Sequence, residues 1–180
     1  ITYSTLIPDE AINIGTQDEP QIWPQNYGEV WGDGTLRTAW YGVQHSLNTL
    51  AVRVGRMNTT KAMYTQLTQM LGFTTLVESD IALTNGAKLV EVAGAYQIFG
   101  NGGVYYRPMF YSKVEDSKGN VIMEQDFYGT QAIDSDSAWV TNRMIYKVVN
   151  GDSGTGPKAK LPNVEVIGKT GTSNAGTDLL

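Results

Sequence analysis

A mixed α+β fold is predicted by three features of this chain. Apolar residues recur at helical spacing in four stretches between residues 35 and 99. The period then shortens to that of strands around a turn near Gly119. One more helical stretch and an apolar closing run follow, so helices are grouped first and an antiparallel sheet comes towards the end.

Residues 1–34 have no sustained period and are punctuated by Pro8, Gly15, Pro20, Pro24, Gly28, Gly32 and Gly34, which predicts loop with short extended pieces. Thr35 is the expected N-cap of a first helix, with Leu36, Ala39, Trp40 and Val43 on its apolar face. A second short helix is expected after Ser46-Leu47-Asn48, through Leu50, Ala51 and Val54, ending near Gly55. Thr59 or Thr60 caps a third, which turns Met63, Leu67, Met70 and Leu71 inward and places Gly72 at its C′ position. From Lys88 to Phe99 the apolar positions are Leu89, Val92, Ala93, Tyr96 and Phe99, and Asn101-Gly102-Gly103 ends the helix. Val104 to Glu115 is rich in aromatic and β-branched residues. Ser117-Lys118-Gly119-Asn120 reads as a turn and Val121 to Met123 as the returning strand. Asp134 or Ser135 caps another helix carrying Ala138, Val140, Met144, Ile145 and Val148. A glycine-rich loop from Asn150 to Pro157 then leads to a strand over Val164 to Gly171.

Composition narrows the function classes. An apolar fraction of 41% and a charged fraction of 17% over 180 residues suit one domain, or a large piece of one, with a sizeable core. The net charge of −5 and the absence of any run of five like charges exclude a basic nucleic-acid-binding face. Cysteine is absent, which removes disulfides and thiolate metal sites and suits an exported bacterial protein as well as a cytosolic one. No apolar run reaches the ~20 residues of a membrane-spanning helix. The chain opens on Ile1-Thr2-Tyr3-Ser4 without an initiator methionine and stops at Leu179-Leu180, at the start of an apolar run. An interior segment of a longer protein is therefore expected.

Several clusters bear on chemistry. Lys169-Thr170-Gly171 on a strand edge offers a cation, a hydroxyl and a position without Cβ against which a peptide backbone can lie. The same three residues also suit a strand end running into a polar turn. Ser46 and Asn48, two residues apart at a helix junction, present a hydroxyl and an amide, although caps and turns use these residues too. Gly151 to Lys158 approaches a phosphate-gripping loop, but Pro157 stands where its lysine belongs, and the stretch reads as a plain loop. His45 is the only histidine and is expected as a partly exposed helix-end residue; chain neighbours on a helix do not face each other, so it is no base for Ser46. Asp116, Glu124, Asp126, Asp134 and Asp136 read as turn, cap and solvated residues.

Ser46-x-Asn48 followed after about 120 residues by Lys169-Thr170-Gly171 is the order of the second and third active-site motifs of serine penicillin-binding proteins and the related β-lactamases. Thr35-Leu36-Arg37-Thr38-Ala39 ahead of Ser46-Leu47-Asn48-Thr49-Leu50-Ala51-Val52 resembles the surroundings of the first of these in the class A, bifunctional members. The helix end Phe99-Gly100-Asn101-Gly102-Gly103, then Tyr106-Arg107-Pro108, Gly154-Thr155-Gly156 and Gly168 to Ser173 match in order, with Gly100 in place of a common alanine. The resemblance covers nearly the whole chain.

It implies a penicillin-binding-protein/β-lactamase-like transpeptidase fold, a helical cluster packed on an antiparallel sheet, with residues 1–180 forming a single partial domain incomplete at both ends. It also implies a peptidoglycan D,D-transpeptidase that acts through a serine acyl-enzyme on stem peptides ending in D-Ala-D-Ala and is acylated by β-lactams. No serine here has lysine three residues later, so the acylating Ser-x-x-Lys is expected just before Ile1. Ser46, Asn48 and Lys169 take the catalytic roles, and Thr170, Gly171 and Thr172 bind substrate. No metal or organic cofactor is required. The parent protein is expected at the extracytoplasmic face of a bacterial plasma membrane, anchored by a segment outside this chain. A β-lactam sensor or non-catalytic scaffold of the same fold, or a serine β-lactamase, are the alternatives.

Overall fold

In the computed structural model, which describes residues 1–58, 60–74, 83 and 87–172, the N-terminal stretch is more extended than its punctuation suggests. Strand β1 (Leu6–Glu10) pairs antiparallel with β4 (Gly32–Thr38), and β2 (Ile12–Asn13) pairs with β3 (Ile22–Trp23). Helices α1 (Ala39–Gln44), α2 (Asn48–Asn58) and α3 (Lys61–Met70) follow, then α4 (Leu89–Tyr96) with a 3₁₀ turn over Gln97–Phe99. Strand β5 (Val104–Tyr106) pairs with β8 (Gly129–Gln131), enclosing the hairpin of β6 (Lys113–Glu115) and β7 (Val121–Glu124). The long helix α5 (Ser135–Asn150) and a 3₁₀ turn over Pro157–Ala159 complete the order. The four strand pairs among the described residues are all antiparallel, and the class is α+β.

Among the described residues, 1–61 and 140–172 make up most of one compact unit, and 62–74 with 87–139 make up the other. In the first unit, Ile7, Ala39 and Leu50 are buried together, and Leu47, Val54 and Met144 pack against them. The first two helices approach closely: a Cβ built on Gly42 would lie 2.6 Å from Leu50 Cδ2. Beside this apolar cluster lies a buried polar hub. The register of β1 against β4 shifts between Pro8 and Glu10, and Asp9 at this bulge is only 5% exposed. Asp9 Oδ1 accepts from Thr49 Oγ1 at 2.7 Å and Asn26 Nδ2 at 3.2 Å, and Oδ2 accepts from Arg37 Nε at 3.0 Å. A buried carboxylate survives only with such partners, and here they tie the first strand pair to the start of α2.

The second unit has its own core of Leu71, Ala95 and Ile98, lined by Leu67, Phe73, Phe99, Tyr105, Ala132 and Ile133. Gly72 ends α3 at φ +73°, and the Tyr105 hydroxyl fills the space a Cβ would take. Gly102 and Gly103, both at positive φ, stop the helical stretch before β5. Asp116 accepts from the backbone N–H groups of Lys118 and Asn120 to close the β6–β7 turn, and Asp134 caps α5 through Ser137 N–H at 2.8 Å.

Five sequence expectations need correction. Thr35 and Leu36 belong to β4, and the cap of α1 is Thr38, whose hydroxyl accepts from Tyr41 N–H. Local spacing carries no trace of the distant β1 partner that makes this stretch a strand. Helix α2 runs past Gly55 to Asn58. The buried face of α4 is Glu91, Gly94, Ala95 and the following Ile98, whereas Leu89 is 71% exposed. Glu91 turns inward because its carboxylate accepts from Thr74, and Gly94 because Pro108 lies where a Cβ would project. Met63 likewise faces outward on α3. Finally, among the described residues no strand pairs with 165–171. Thr59 and Leu179-Leu180 lie outside the described residues.

Removing the Asp9 carboxylate leaves Arg37 only its exposed partner Asp33 and leaves the Thr49 hydroxyl only the 3.3 Å contact with Asn26 Oδ1. Asp9→Ala is expected to cost about 2–4 kcal/mol in urea unfolding, a little below the ~3–5 kcal/mol for breaking a buried ion pair because Arg37 keeps Asp33. Lys113→Ala, which breaks an exposed ion pair with Glu115, is expected to cost under about 1 kcal/mol.

Candidate active site

Ser46 owes its position to the way α1 ends. Its N–H donates to Val43 O at 3.2 Å and the Leu47 N–H donates to Gly42 O at 2.9 Å. This pair of bonds is a Schellman termination with Ser46 at the C′ position, where glycine is usual. Ser46 adopts φ +55°, a left-handed conformation that costs a β-carbon-bearing residue roughly 1 kcal/mol or more. Leu47, the next residue, packs on the Ile7 cluster and holds the turn down. Asn48 opens α2, and its side-chain amide donates to Gln25 O at 2.8 Å. Thr49 behind it is locked into the Asp9 hub.

Lys169 arrives from the segment 165–171, which side chains hold among the described residues. Asn150 at the end of α5 donates to Val166 O at 2.9 Å, Arg143 pairs with Glu165, and Gly168 lies against Val149. From this segment the Lys169 ammonium donates to Ser46 Oγ at 2.6 Å and to Thr170 O at 2.8 Å. Burial lowers the Lys169 pKa from its ordinary value. Among the described residues no ion pair includes it. The chemical meaning is a half-buried cation that polarises a serine hydroxyl and has charge to spare for an anionic ligand.

Of the residues singled out from sequence, the fold joins Ser46, Lys169 and Thr170. Gly171 follows them half-buried, Thr172 is exposed, and Asn48 is turned to the Gln25 carbonyl. His45 is the C-cap of α1, with its ring 4.0 Å from that of Tyr41; burial, then the nearby Arg37 charge, lowers its pKa. The glycine-rich loop carries contacts that sequence reasoning did not foresee. The Thr155 and Thr170 hydroxyls are 2.7 Å apart, and Gln44 reaches Ser153. The signals for the first were a hydroxyl flanked by Gly154 and Gly156 and the place of that triplet in the family resemblance. Among the described residues no group of three or more histidine, aspartate or glutamate side chains is disposed to hold a metal ion, and no helix is long and apolar enough to cross a membrane.

The fold that carries this site is that of the penicillin-binding-protein transpeptidases. The family model for the penicillin binding protein transpeptidase domain matches residues 1–179, and the chain belongs to that family, in its class A branch. It is 33% identical over 184 residues to penicillin-binding protein 1A of Streptococcus pneumoniae, covering 95% of this chain and 24% of that protein. Penicillin-binding protein 4 of Bacillus subtilis is 35% identical over 160 residues, 84% of this chain and 24% of its own. The chain thus spans about a quarter of the length of these curated relatives. Among solved structures, penicillin-binding protein 1A from Haemophilus influenzae superposes with a TM-score of 0.78 at 21% identity, covering 97% of this chain and 32% of that one. An imipenem acyl-enzyme complex of penicillin-binding protein A from M. tuberculosis gives 0.75 at 16% identity, covering 97% and 44%.

Two expectations follow from the geometry. An NMR titration of the lysine Cε resonances should find Lys169 with a midpoint below the ordinary 10.5. Over the interval between that lowered midpoint and the ordinary value, the unfolded chain binds more protons than the folded one, so stability contributed through Lys169 rises with pH; Lys169→Met should abolish that rise. Separately, Ser46→Gly and Ser46→Ala remove the same hydroxyl, but glycine relieves the left-handed backbone. Ser46→Gly is expected to unfold at higher denaturant, by about 1 kcal/mol.

Proposed function

We propose that residues 1–180 lie within a single transpeptidase domain of a protein that cross-links peptidoglycan at the outer face of a bacterial plasma membrane. The protein is anchored there through a segment outside this chain. The observation that carries this reading is the Lys169 ammonium seated on the Ser46 hydroxyl at 2.6 Å, within a chain of this family.

In this reading a serine of a Ser-x-x-Lys motif outside the chain attacks the penultimate D-Ala carbonyl of a stem peptide. The C–N bond to the terminal D-Ala breaks, that D-Ala leaves, and the acyl group remains on the serine as an ester. An amino group of a neighbouring strand then attacks the ester, forming the cross-link and freeing the serine. Ser46 relays a proton to the departing nitrogen. Lys169 lowers the cost of Ser46 giving up that proton, because the positive charge stabilises the alkoxide that forms. Asn48, whose side-chain amide donates one N–H to Gln25 O, uses its second N–H and its Oδ1 to hold the substrate amide and to orient the lysine of Ser-x-x-Lys. The Thr170 and Thr172 hydroxyls and the Lys169 charge bind the carboxylate of the leaving residue. Gly171 leaves room for the peptide backbone, and the Thr172 N–H donates to the oxyanion. A β-lactam presents the same carboxylate and carbonyl, acylates the same serine, and leaves slowly because its ring-opened leaving group stays attached. No metal or organic cofactor takes part.

In the full-length protein, Lys169→Ala is expected to lower the second-order rate of labelling by a fluorescent penicillin roughly a hundredfold or more, the scale of losing one preorganised electrostatic contact. Lys158→Ala, at an exposed loop lysine, should label as the parent does. Undiminished labelling of Lys169→Ala would remove the role given to Lys169. The isolated 180-residue chain, incubated with penicillin, should show no added mass; a stable adduct would overturn the placement of the acylating serine outside it.

A further inference from the structure

Thr155 sits in a loop whose backbone is fixed with little freedom. Gly151 N–H donates to Lys147 O at 3.0 Å, Gly154 N–H to Gly151 O at 3.2 Å, and Gly156 N–H to Val148 O at 2.9 Å. The loop presses against the end of α5 so closely that a Cβ on Gly154 would lie 2.2 Å from Val148 O. Gln44, 5% exposed and two residues before Ser46, donates to Ser153 Oγ at 3.5 Å and fills the space where a Cβ of Gly151 would project. The loop is therefore braced on one side by α5 and on the other by the turn that carries Ser46. Its exposed tip brings the Thr155 hydroxyl to 2.7 Å from that of Thr170, next in chain to Lys169.

Two hydroxyls at this distance share one proton between their oxygens, and the direction of sharing matters. If Thr170 donates to Thr155, its proton is spent and it offers a ligand only lone pairs. If Thr155 donates to Thr170, the Thr170 proton is free and is polarised by the bond behind it. A carboxylate, which only accepts, selects the second arrangement, and the Lys169 charge alongside favours the same ligand. We propose that Thr155 is a positioning residue for carboxylate recognition: its hydroxyl donates to Thr170 and so turns the Thr170 proton towards the free carboxylate of the incoming stem peptide or β-lactam. This rests on the carboxylate-binding role proposed above for Thr170.

The test compares two penicillins on the full-length protein, one with its free carboxylate and one as the methyl ester, by second-order acylation rate. Thr155→Val keeps the shape and removes the hydroxyl. It is expected to slow the free acid about fivefold, the scale of one neutral hydrogen bond, and to leave the ester rate unchanged. Thr155→Ser should restore the acid rate. A purely structural role would slow both probes alike, and that result, or an unchanged acid rate in Thr155→Val, overturns the inference while the proposed function stands. A wild-type protein that reacts with neither probe, or equally with both, overturns the carboxylate reading of the site and this inference with it.

Discussion

A lysine ammonium half-buried against a serine hydroxyl, without a carboxylate partner among the described residues, is a costly arrangement, and the first unit is organised around sustaining it. Each partner is held in a conformation it would not choose alone. Ser46 occupies a left-handed position suited to glycine, and Lys169 sits on a segment that pairs with no strand among the described residues. The surrounding structure determines both. The Schellman bonds and Leu47 pin the turn, and Asn150, Arg143 and the Thr155 hydroxyl pin the segment. Local rules broken where the neighbourhood over-determines the outcome are the expected mark of a functional site.

The energetics separate into tiers. Burial of Ile7, Ala39 and Leu50 supplies the non-directional term that brings β1, α1 and α2 together. That burial would tolerate small rotations of α2, and the Asp9 hub does not, because each of its hydrogen bonds has a fixed direction. Since Thr49 is one residue beyond Asn48, the hub transmits its precision to the start of the Ser46–Asn48 turn. Exposed pairs such as Lys113–Glu115 add little to this, being screened and entropically costly.

Much of this was legible in the residues. Helical spacing gave the existence and order of α1 to α5, and Asp134, Gly72 and Gly102-Gly103 gave caps and stops, because these signals are local. The motif residues Ser46, Lys169 and Thr170 were named, and their convergence over more than a hundred residues of chain is a property of the fold alone. What escaped depended on distant partners. Strand β4 was mistaken for a helix start because β1 lies some twenty residues away in sequence, and β8 was missed for the same reason. The inward face of α4 was misplaced because hydrophobicity rules cannot anticipate Glu91 buried on Thr74. Thr155 stood in a loop that matched the family's order but had no role until its hydroxyl met that of Thr170.

The central claim is that Ser46 and Lys169 act as one unit, and a double-mutant cycle on β-lactam acylation by the full-length protein measures this directly. Rates are compared for the wild type, Ser46→Ala, Lys169→Met and the double variant. Residues that work only together lose nearly all their effect when either is removed, so the double variant is expected to be about as slow as the slower single one. Losses that multiply, as for two independent sites, would contradict the account.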